Sequence, residues 1–337
     1  MMQADLPLPE ASSKVPSRRL RDRLLMAGLA VLFLAGLIGL AAATGWEETM
    51  AQIARLTLWQ GAILLALSLV NYLFRGLRWH LFARRLGLPT TLTQDIRHFL
   101  GGFAMIVTPG RVGELVRMRW LKRETGWNYE RTAPLALMDR ASDLAAMAII
   151  LALSVAIAAG GMTSALPVAA LALLAAWTAT HPRLLAAVVT RFYRLTGRFP
   201  RLFARVRIAA RSLGRFTNAG TVLPALALGV TGWFAEGYAF HLLLGWMGAD
   251  IGLWKAIGIF VFATLAGGLT GAPGGVGGAE AAMIALLALD GVPMEISVPA
   301  TAIIRVTTLW FALGLGLLVF PFAERLSLRK PNALEIR

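Results

Sequence analysis

The 337-residue sequence contains no cysteine and only four histidines, His80, His98, His181 and His241. Without cysteine the chain cannot form a disulfide, a thiolate metal site or a cysteine nucleophile. The histidines are scattered without the spacing of metal ligands, so we predict neither a metal site nor a bound cofactor.

Charged residues are also scarce. They make up 15% of the chain, against about 25% in soluble domains, and 57% of the residues are apolar. The charges are unbalanced, with 33 Lys and Arg against 18 Asp and Glu. Because the apolar residues occur in blocks long enough to cross a bilayer, the composition predicts an all-α integral membrane protein rather than a soluble enzyme.

A helix needs about 20 apolar residues to cross the hydrocarbon core of a bilayer. Six runs meet this length with few or no charges, and we predict a transmembrane helix in each: residues 24–44, 56–74, 132–159, 162–180, 216–248 and 296–323. The first run is too long and too uninterrupted for a signal peptide.

Two further apolar segments, residues 93–123 and 255–289, are each interrupted by a Pro-Gly-rich tip. Such breaks occur at membrane depth only where protein or a water-filled cavity covers the backbone. We therefore interpret both segments as re-entrant helical hairpins, the first entering from the cytoplasm and the second from the outside. In an alternative interpretation the second segment is two ordinary spans.

Basic residues are concentrated on one predicted side of the membrane. Segments 1–23, 75–131, 181–217 and 324–337 hold 29 of the 33, and the opposite loops hold only Arg55 and Lys255. The positive-inside rule then makes both terminal tails, 1–23 and 324–337, cytoplasmic. The linker 181–217 contains nine arginines and no acid, which is typical of amphipathic helices on an anionic inner leaflet. Nucleic-acid patches share this composition, but in a chain this apolar we expect no nucleic-acid partner.

The two halves of the chain share a pattern. Three pairs of residues are 164 to 166 positions apart: Pro109 with Pro273, Glu114 with Glu280, and Arg140 with Arg305. We predict an inverted repeat of residues 24–160 and 161–323, because the two hairpins follow spans that run in opposite directions. Inverted repeats with broken helices are the plan of many secondary transporters, whose substrate binds at the repeat interface.

Six ionisable residues fall within the predicted spans and hairpins: Asp139, Arg140, Asp143, Glu236, Glu280 and Arg305. Charges are costly in lipid, so each is a candidate functional residue. Asp139 and Asp143 are four residues apart and share one face of a helix. The arginines either neutralise the acids and hold helices together, or belong to a substrate-binding or proton-coupled site.

The hairpin tips combine glycines with a following acid: Gly110, Arg111, Gly113 and Glu114 in the first, and Gly274, Gly275, Gly277 and Glu280 in the second. We predict that the backbone N–H groups of the tips, with Arg111, bind an anionic headgroup, because glycine allows close approach and positive φ. Two other interpretations stay open. The acids cap the helices that follow, or the glycines permit tight helix packing.

Basic residues flank the first hairpin. Arg75, Arg78 and Trp79 follow the predicted end of the second span, and we interpret them as interfacial anchors with snorkelling side chains. Alternatively, Arg75 and Arg78 collect anionic headgroups. The later basic residues are expected to form a solvated or phosphate-facing helix surface: Arg117, Arg119, Lys122 and Arg123.

Catalytic motifs are missing from the sequence. The Gly-rich run 271–278 lacks the Gly-Lys-Ser/Thr ending of a phosphate-binding loop, and no His-Glu-x-x-His or Ser/His/Asp set occurs. We therefore predict that the chain is not an enzyme.

Four motifs together resemble the lysylphosphatidylglycerol synthase transmembrane, or flippase-like, family. They are Arg-x-x-Arg-Trp at 75–79, Pro-Gly-Arg-x-Gly-Glu at 109–114 with Arg117, Asp-Arg-x-x-Asp at 139–143, and Pro-Gly-Gly-x-Gly-x-x-Glu at 273–280. The resemblance covers roughly residues 24–322. It implies a multi-pass protein of the bacterial cytoplasmic (inner) membrane that moves an amphiphilic lipid between leaflets, as the membrane half of the multiple peptide resistance factor is held to do.

The chain departs from that factor because its tails, of 23 and 14 residues, leave no room for an aminoacyl-transfer domain. We expect no synthase activity, and we predict translocation of an anionic phospholipid or a polyprenyl-phosphate lipid. Two alternatives are a secondary transporter of a small solute and a non-catalytic accessory subunit of a lipid or glycosyl-lipid synthase. A lipid-synthesis enzyme and a second copy of the chain are candidate partners.

Overall fold

The structure, a computed structural model, describes residues 50–51, 54, 56–108, 113–158, 174, 182–196 and 213–329. Within these residues the chain is entirely helical and contains no β-strand. Four predicted segments fall wholly or largely outside them: the N-terminal tail, the first span (24–44), the fourth span (162–180) and the end of the C-terminal tail.

Ten α-helices lie in the described residues. The first four are α1 (Leu58–Leu86), α2 (Leu92–Gly101), α3 (Gly113–Thr125) and α4 (Tyr129–Ala158). They are followed by α5 (Pro182–Thr196), α6 (Ala219–Trp246), α7 (Leu253–Leu269), α8 (Gly278–Leu289), α9 (Met294–Arg305) and α10 (Phe311–Arg329). Short 3-10 turns occur at Gly102–Met105, Leu213–Phe216 and Pro273–Gly275, and the π-helical turn Val306–Trp310 joins α9 to α10.

Three of these helices are long and apolar enough to cross a membrane: α1, α4 and the continuous helix Met294–Leu328. They coincide with the predicted second, third and sixth spans, and α6 lies where the fifth was predicted. Helix α5 falls within the arginine-rich linker. The total of six spans stays a prediction.

Helix α1 starts and stops at clear local motifs. Thr57 and Gln60 form a capping box, in which the Thr57 hydroxyl accepts from the Gln60 N–H and the Gln60 side chain accepts from the Thr57 N–H. At the other end, Gly87 adopts the left-handed conformation, with φ of 83°, that commonly terminates helices. The helix therefore continues well beyond its predicted end at residue 74.

Because α1 is longer than predicted, two of its basic residues lie inside the protein. Arg75, Arg78 and Trp79 are all buried, and Arg78 and Trp79 have no exposed surface. Their interpretation as interfacial anchors is wrong. The two arginines stay inside the bundle because Asp139 and Asp143 of α4 neutralise them.

Both segments interpreted as hairpins consist of two helices separated by a break. In the first, α2 and the turn Gly102–Met105 precede α3, and the tip residues 109–112 lie outside the described part of the chain. In the second, α7 and α8 flank the turn Pro273–Gly275 and pack against each other. The structure thus confirms the breaks, whereas their depth in a membrane stays a prediction.

The hydrophobic core is centred on α6. This helix packs along α1 and also contacts α4, α7 and α9. One cluster of buried side chains surrounds Phe240, Ile257 and Met283, and a second surrounds Phe82 and Phe99. Because helices from both halves of the chain contribute to each cluster, the halves form one packed body.

Helices α3 and α10 are joined by the carboxylate of Glu324. It accepts hydrogen bonds from Arg119 Nη2 at 2.6 Å, Trp120 Nε1 at 2.8 Å and Arg123 Nη1 at 2.6 Å. Arg119 and Arg123, expected on a solvated or phosphate-facing surface, are therefore engaged in helix packing.

We expect Glu324→Ala to lower the free energy of unfolding by about 2 kcal/mol, because it leaves the buried Trp120 N–H without an acceptor and separates two cations from their partner. Glu295→Ala removes an exposed acid from the same continuous helix and should cost less than about 1 kcal/mol. Denaturant unfolding in detergent measures both, and equal losses would contradict this role for Glu324.

Candidate functional site

The carboxylate of Asp143 is the centre of a group of buried charges. It accepts from Arg75 Nη2 and Arg78 Nη2, each at 2.6 Å, and from Trp233 Nε1 at 3.2 Å. Arg140 Nη1 lies 3.5 Å from it. Helices α1, α4 and α6 thus meet at one carboxylate. We use the name Asp143 cluster for six residues: Arg75, Arg78, Asp139, Arg140, Asp143 and Trp233.

Asp139 completes the cluster from the preceding turn of α4. Its Oδ1 accepts from Arg78 Nη2 at 2.7 Å and from Nε at 3.2 Å, so the prediction that Asp139 and Asp143 share one helix face is confirmed. Gly229 on α6 makes room for Arg78, because a Cβ there would lie 2.9 Å from Nη1. The two carboxylates offset the cost of burying this guanidinium, although its Nη1 has no hydrogen-bond partner among the described residues.

Arg140 and Arg305 are each paired with the acid that follows a hairpin tip. Arg140 Nε donates to Glu114 Oε1, and Arg305 Nε donates to Glu280 Oε1 at 2.5 Å. Arg305 Nη2 also donates to the carbonyl of Gly274 at 3.0 Å. The same contact therefore occurs at equivalent places in both halves, and each arginine ties a hairpin to a long helix.

Glu280 also has the capping role that the sequence left open. It lies in the first turn of α8, and its carboxylate accepts a hydrogen bond from the Gly277 N–H at 2.7 Å. The N–H of Gly275 donates to Ala272 O at 2.9 Å. Two of the N–H groups expected to bind a headgroup are thus satisfied within the tip itself.

The glycines of the tips serve both conformation and packing. Gly274, Gly275 and Gly277 have positive φ, as expected. A Cβ on Gly113 would lie 2.5 Å from Gly102 O, so α3 packs against the backbone of the preceding turn. Gly110 and Arg111 fall outside the described residues.

The two hairpin breaks meet at the π-helical turn. A Cβ on Gly274 would lie 3.3 Å from both Val107, beside the first tip, and Leu309 in the turn. Tyr72 of α1 donates from its hydroxyl to the carbonyl of Thr308 in the same turn. Residues of both breaks are therefore adjacent to each other and to Arg305, which immediately precedes the turn.

Arg117 was expected on a solvated or phosphate-facing surface, but it is only 3% exposed. Its Cζ lies 4.2 Å from the ring centre of Phe99, 5.4 Å from Trp79 and 5.7 Å from Phe103. Gly102 admits this side chain, because a Cβ there would lie 2.2 Å from Arg117 Nε. Phe99 and Phe103 are four residues apart, a spacing that could have indicated an aromatic face for a cation.

Glu236 of α6 is 5% exposed. Its carboxylate is within electrostatic range of Arg75 and Asp143, which belong to the Asp143 cluster, and of Arg305. Sequence reasoning identified Glu236 as an intramembrane acid. It missed Ser68 and Asn71, which are buried on the neighbouring face of α1 with no hydrogen-bond partner among the described residues.

Metal binding has no support in the described part of the chain, where no group of three or more His, Asp or Glu side chains is placed to hold an ion. The arrangement is instead one of arginines and carboxylates. Such an arrangement is chemically suited to anions, because a phosphate and a carboxylate accept the same guanidinium hydrogen bonds.

Comparison with known proteins gives a match along most of the chain. The family model described as the lysylphosphatidylglycerol synthase TM region matches residues 25–316, which include every candidate site residue. Two relatives from Methanothermobacter thermautotrophicus, each named "UPF0104 membrane protein", are 28% identical over 140 residues and 29% identical over 106 residues. These alignments cover 40% and 32% of this chain, and 41% and 31% of the relatives.

Proposed function

Because the chain belongs to the lysylphosphatidylglycerol synthase TM-region family, we propose that it moves an anionic, phosphate-bearing lipid between the leaflets of a membrane. An anionic phospholipid and a polyprenyl-phosphate lipid both fit this description. The chain aligns with less than half the length of the two relatives, so the substrate and any partner enzyme are proposals drawn from the site.

The observation that carries this proposal is the pair of matching contacts, Arg140 with Glu114 and Arg305 with Glu280. Each arginine is held by a carboxylate from a hairpin tip. A lipid phosphate can replace that carboxylate as the acceptor, because both anions suit the donor geometry of a guanidinium. The two tip acids would then occupy the phosphate positions while no lipid is bound.

The matching contacts also support an inverted repeat. In our proposal, residues 24–160 and 161–323 have opposite orientations in a bacterial inner membrane, with six spans, two re-entrant hairpins and cytoplasmic termini. The headgroup crosses through the polar interior while the hydrocarbon tails stay in lipid. The chain carries out no covalent chemistry in this scheme.

The test measures exchange of a fluorescent phosphatidylglycerol between leaflets of proteoliposomes. Removing Arg305 alone would leave Glu280 charged and buried, so both partners are changed together as Glu280→Gln with Arg305→Gln. We expect this double variant to lose at least about tenfold in exchange rate, since charge-assisted hydrogen bonds to the phosphate are worth about 1.5–3 kcal/mol.

A matched control is the exposed pair of the same hairpin, Lys255 with Asp290, whose atoms Nζ and Oδ1 lie 2.8 Å apart. The variant Lys255→Gln with Asp290→Asn should exchange lipid at the wild-type rate. Wild-type exchange by a folded Glu280→Gln, Arg305→Gln protein would contradict the assignment. Folded wild-type protein that exchanges no phosphate-bearing lipid would contradict translocation itself.

A further inference from the structure

Glu236 differs from every other buried acid in the described part of the chain. Asp139 and Asp143 are paired with arginines of α1, Glu280 with Arg305, and Glu324 with Arg119 and Arg123, while Asp95 accepts from His80 and Thr90. The Glu236 carboxylate makes neither an ion pair nor a hydrogen bond with any of the residues that the structure describes.

The ionisable groups that interact electrostatically with Glu236 come from three helices that pack against α6. They are Arg75 and Tyr72 of α1, Asp143 of α4 and Arg305 of α9. Helix α7 has one ionisable residue, Lys255, which is bound to Asp290. Glu236 is therefore attracted by two arginines, repelled by Asp143, and in direct contact with none of these charges.

Both neighbouring arginines are already engaged. Arg75 donates to Asp143 from Nη2, and its buried Nε has no partner within the described residues. Arg305 donates to Glu280 and to Gly274 O. A buried carboxylate without a partner is costly when charged. An anion that arrives beside Glu236 therefore favours its protonated form.

We propose that Glu236 takes up one proton when a lipid phosphate binds between Arg75 and Arg305, so that translocation of the anionic headgroup is coupled to proton movement. This inference rests on the proposed function and assigns its coupling site. The proton comes from water when the lipid binds and returns to water when the lipid leaves.

The coupling follows from charge. A phosphate held by these arginines repels an ionised Glu236, whereas the protonated carboxyl donates a hydrogen bond to a phosphate oxygen. Anion binding and proton binding therefore strengthen each other by the same factor. Because one negative and one positive charge cross together, transport is electroneutral. It responds to a pH gradient and is unaffected by a membrane potential, which would otherwise act with about 2.3 kcal/mol per charge per 100 mV.

The first experiment titrates dioctanoyl phosphatidylglycerol into the purified full-length chain in detergent. Calorimetry in buffers of different ionisation enthalpy, repeated from about pH 5 to about pH 10, counts the protons taken up for each lipid bound. Wild type should take up about one proton in part of this range. Glu236→Gln should bind the lipid, because the amide N–H₂ replaces the carboxyl as donor, and should take up none. Glu295→Gln, an exposed acid, is the matched control and should behave as wild type.

The second experiment measures leaflet exchange in proteoliposomes with either a pH gradient or a potassium diffusion potential. Wild type should respond to the gradient alone. Whatever exchange Glu236→Gln retains should ignore the gradient and respond to the potential, because the headgroup charge then crosses without a proton. Proton uptake that persists in Glu236→Gln, or wild-type exchange driven by the potential, overturns the coupling and leaves translocation standing. Wild-type protein that neither binds nor exchanges the lipid overturns the proposed function and this inference together.

Discussion

Replacing Asp143 with Ala should lower the free energy of unfolding by about 3–5 kcal/mol, the loss expected when one partner of a buried ion pair is removed. The side chain accepts from Arg75, Arg78 and Trp233, and Arg140 lies beside it. Without it, cations from two helices face one another after losing the acceptor that they share. Thermal or denaturant unfolding in detergent measures the loss.

Asp290→Ala is the comparison for that result, since its partner Lys255 is half exposed and exposed pairs contribute about 0–1 kcal/mol. If unpaired charge is the cause, Arg75→Gln added to Asp143→Ala should restore part of the stability, as a positive coupling in a double-mutant cycle. A double variant that is less stable by the sum of the two single losses would contradict this explanation.

A second large effect is expected at Gly316 of α10. A Cβ there would lie 2.2 Å from Ala104 N and 2.6 Å from Phe103 C. Because these are backbone atoms of the 3-10 turn after α2, no side-chain rotation relieves the contact. Gly316→Ala should therefore cost about 2–3 kcal/mol of stability and displace the first hairpin break relative to α10.

The same helix provides a control two residues earlier. A Cβ on Gly314 would have no heavy atom within 4 Å, so Gly314→Ala should be neutral or stabilising by up to about 1 kcal/mol, the helix propensity difference. The two variants have identical composition and can be compared directly by thermal unfolding. Similar midpoints for both would show that α10 does not press against the turn as described.

Helix positions were largely predictable because burial in lipid is a property of local sequence. The spans predicted at 132–159 and 216–248 agree with α4 and α6 to within a few residues. The end of α1 was not predictable in this way. A run of apolar residues stops at Arg75, but the acids that let the helix continue lie more than 60 positions away on α4.

The sequence predicted which residues belong to the candidate site better than it predicted which of them pair with each other. The offset between halves selected Glu114, Arg140, Glu280 and Arg305, and the structure brings the first two and the last two together. Which acid meets which arginine depends on how the hairpins pack against the long helices, and a one-dimensional pattern does not contain that information. Arg117 was misplaced for the same reason, since its aromatic partners come from α1, α2 and the turn that follows α2.

The π-helical turn Val306–Trp310 divides the last long helix into two segments. A π turn holds one extra residue, and moving that residue along the helix rotates one segment by about 100° relative to the other without breaking it. The segment after the turn, α10, is held to α3 through Glu324. The segment before it ends at Arg305, so a shift of the π turn would move this arginine relative to Glu280 while α10 stays in place.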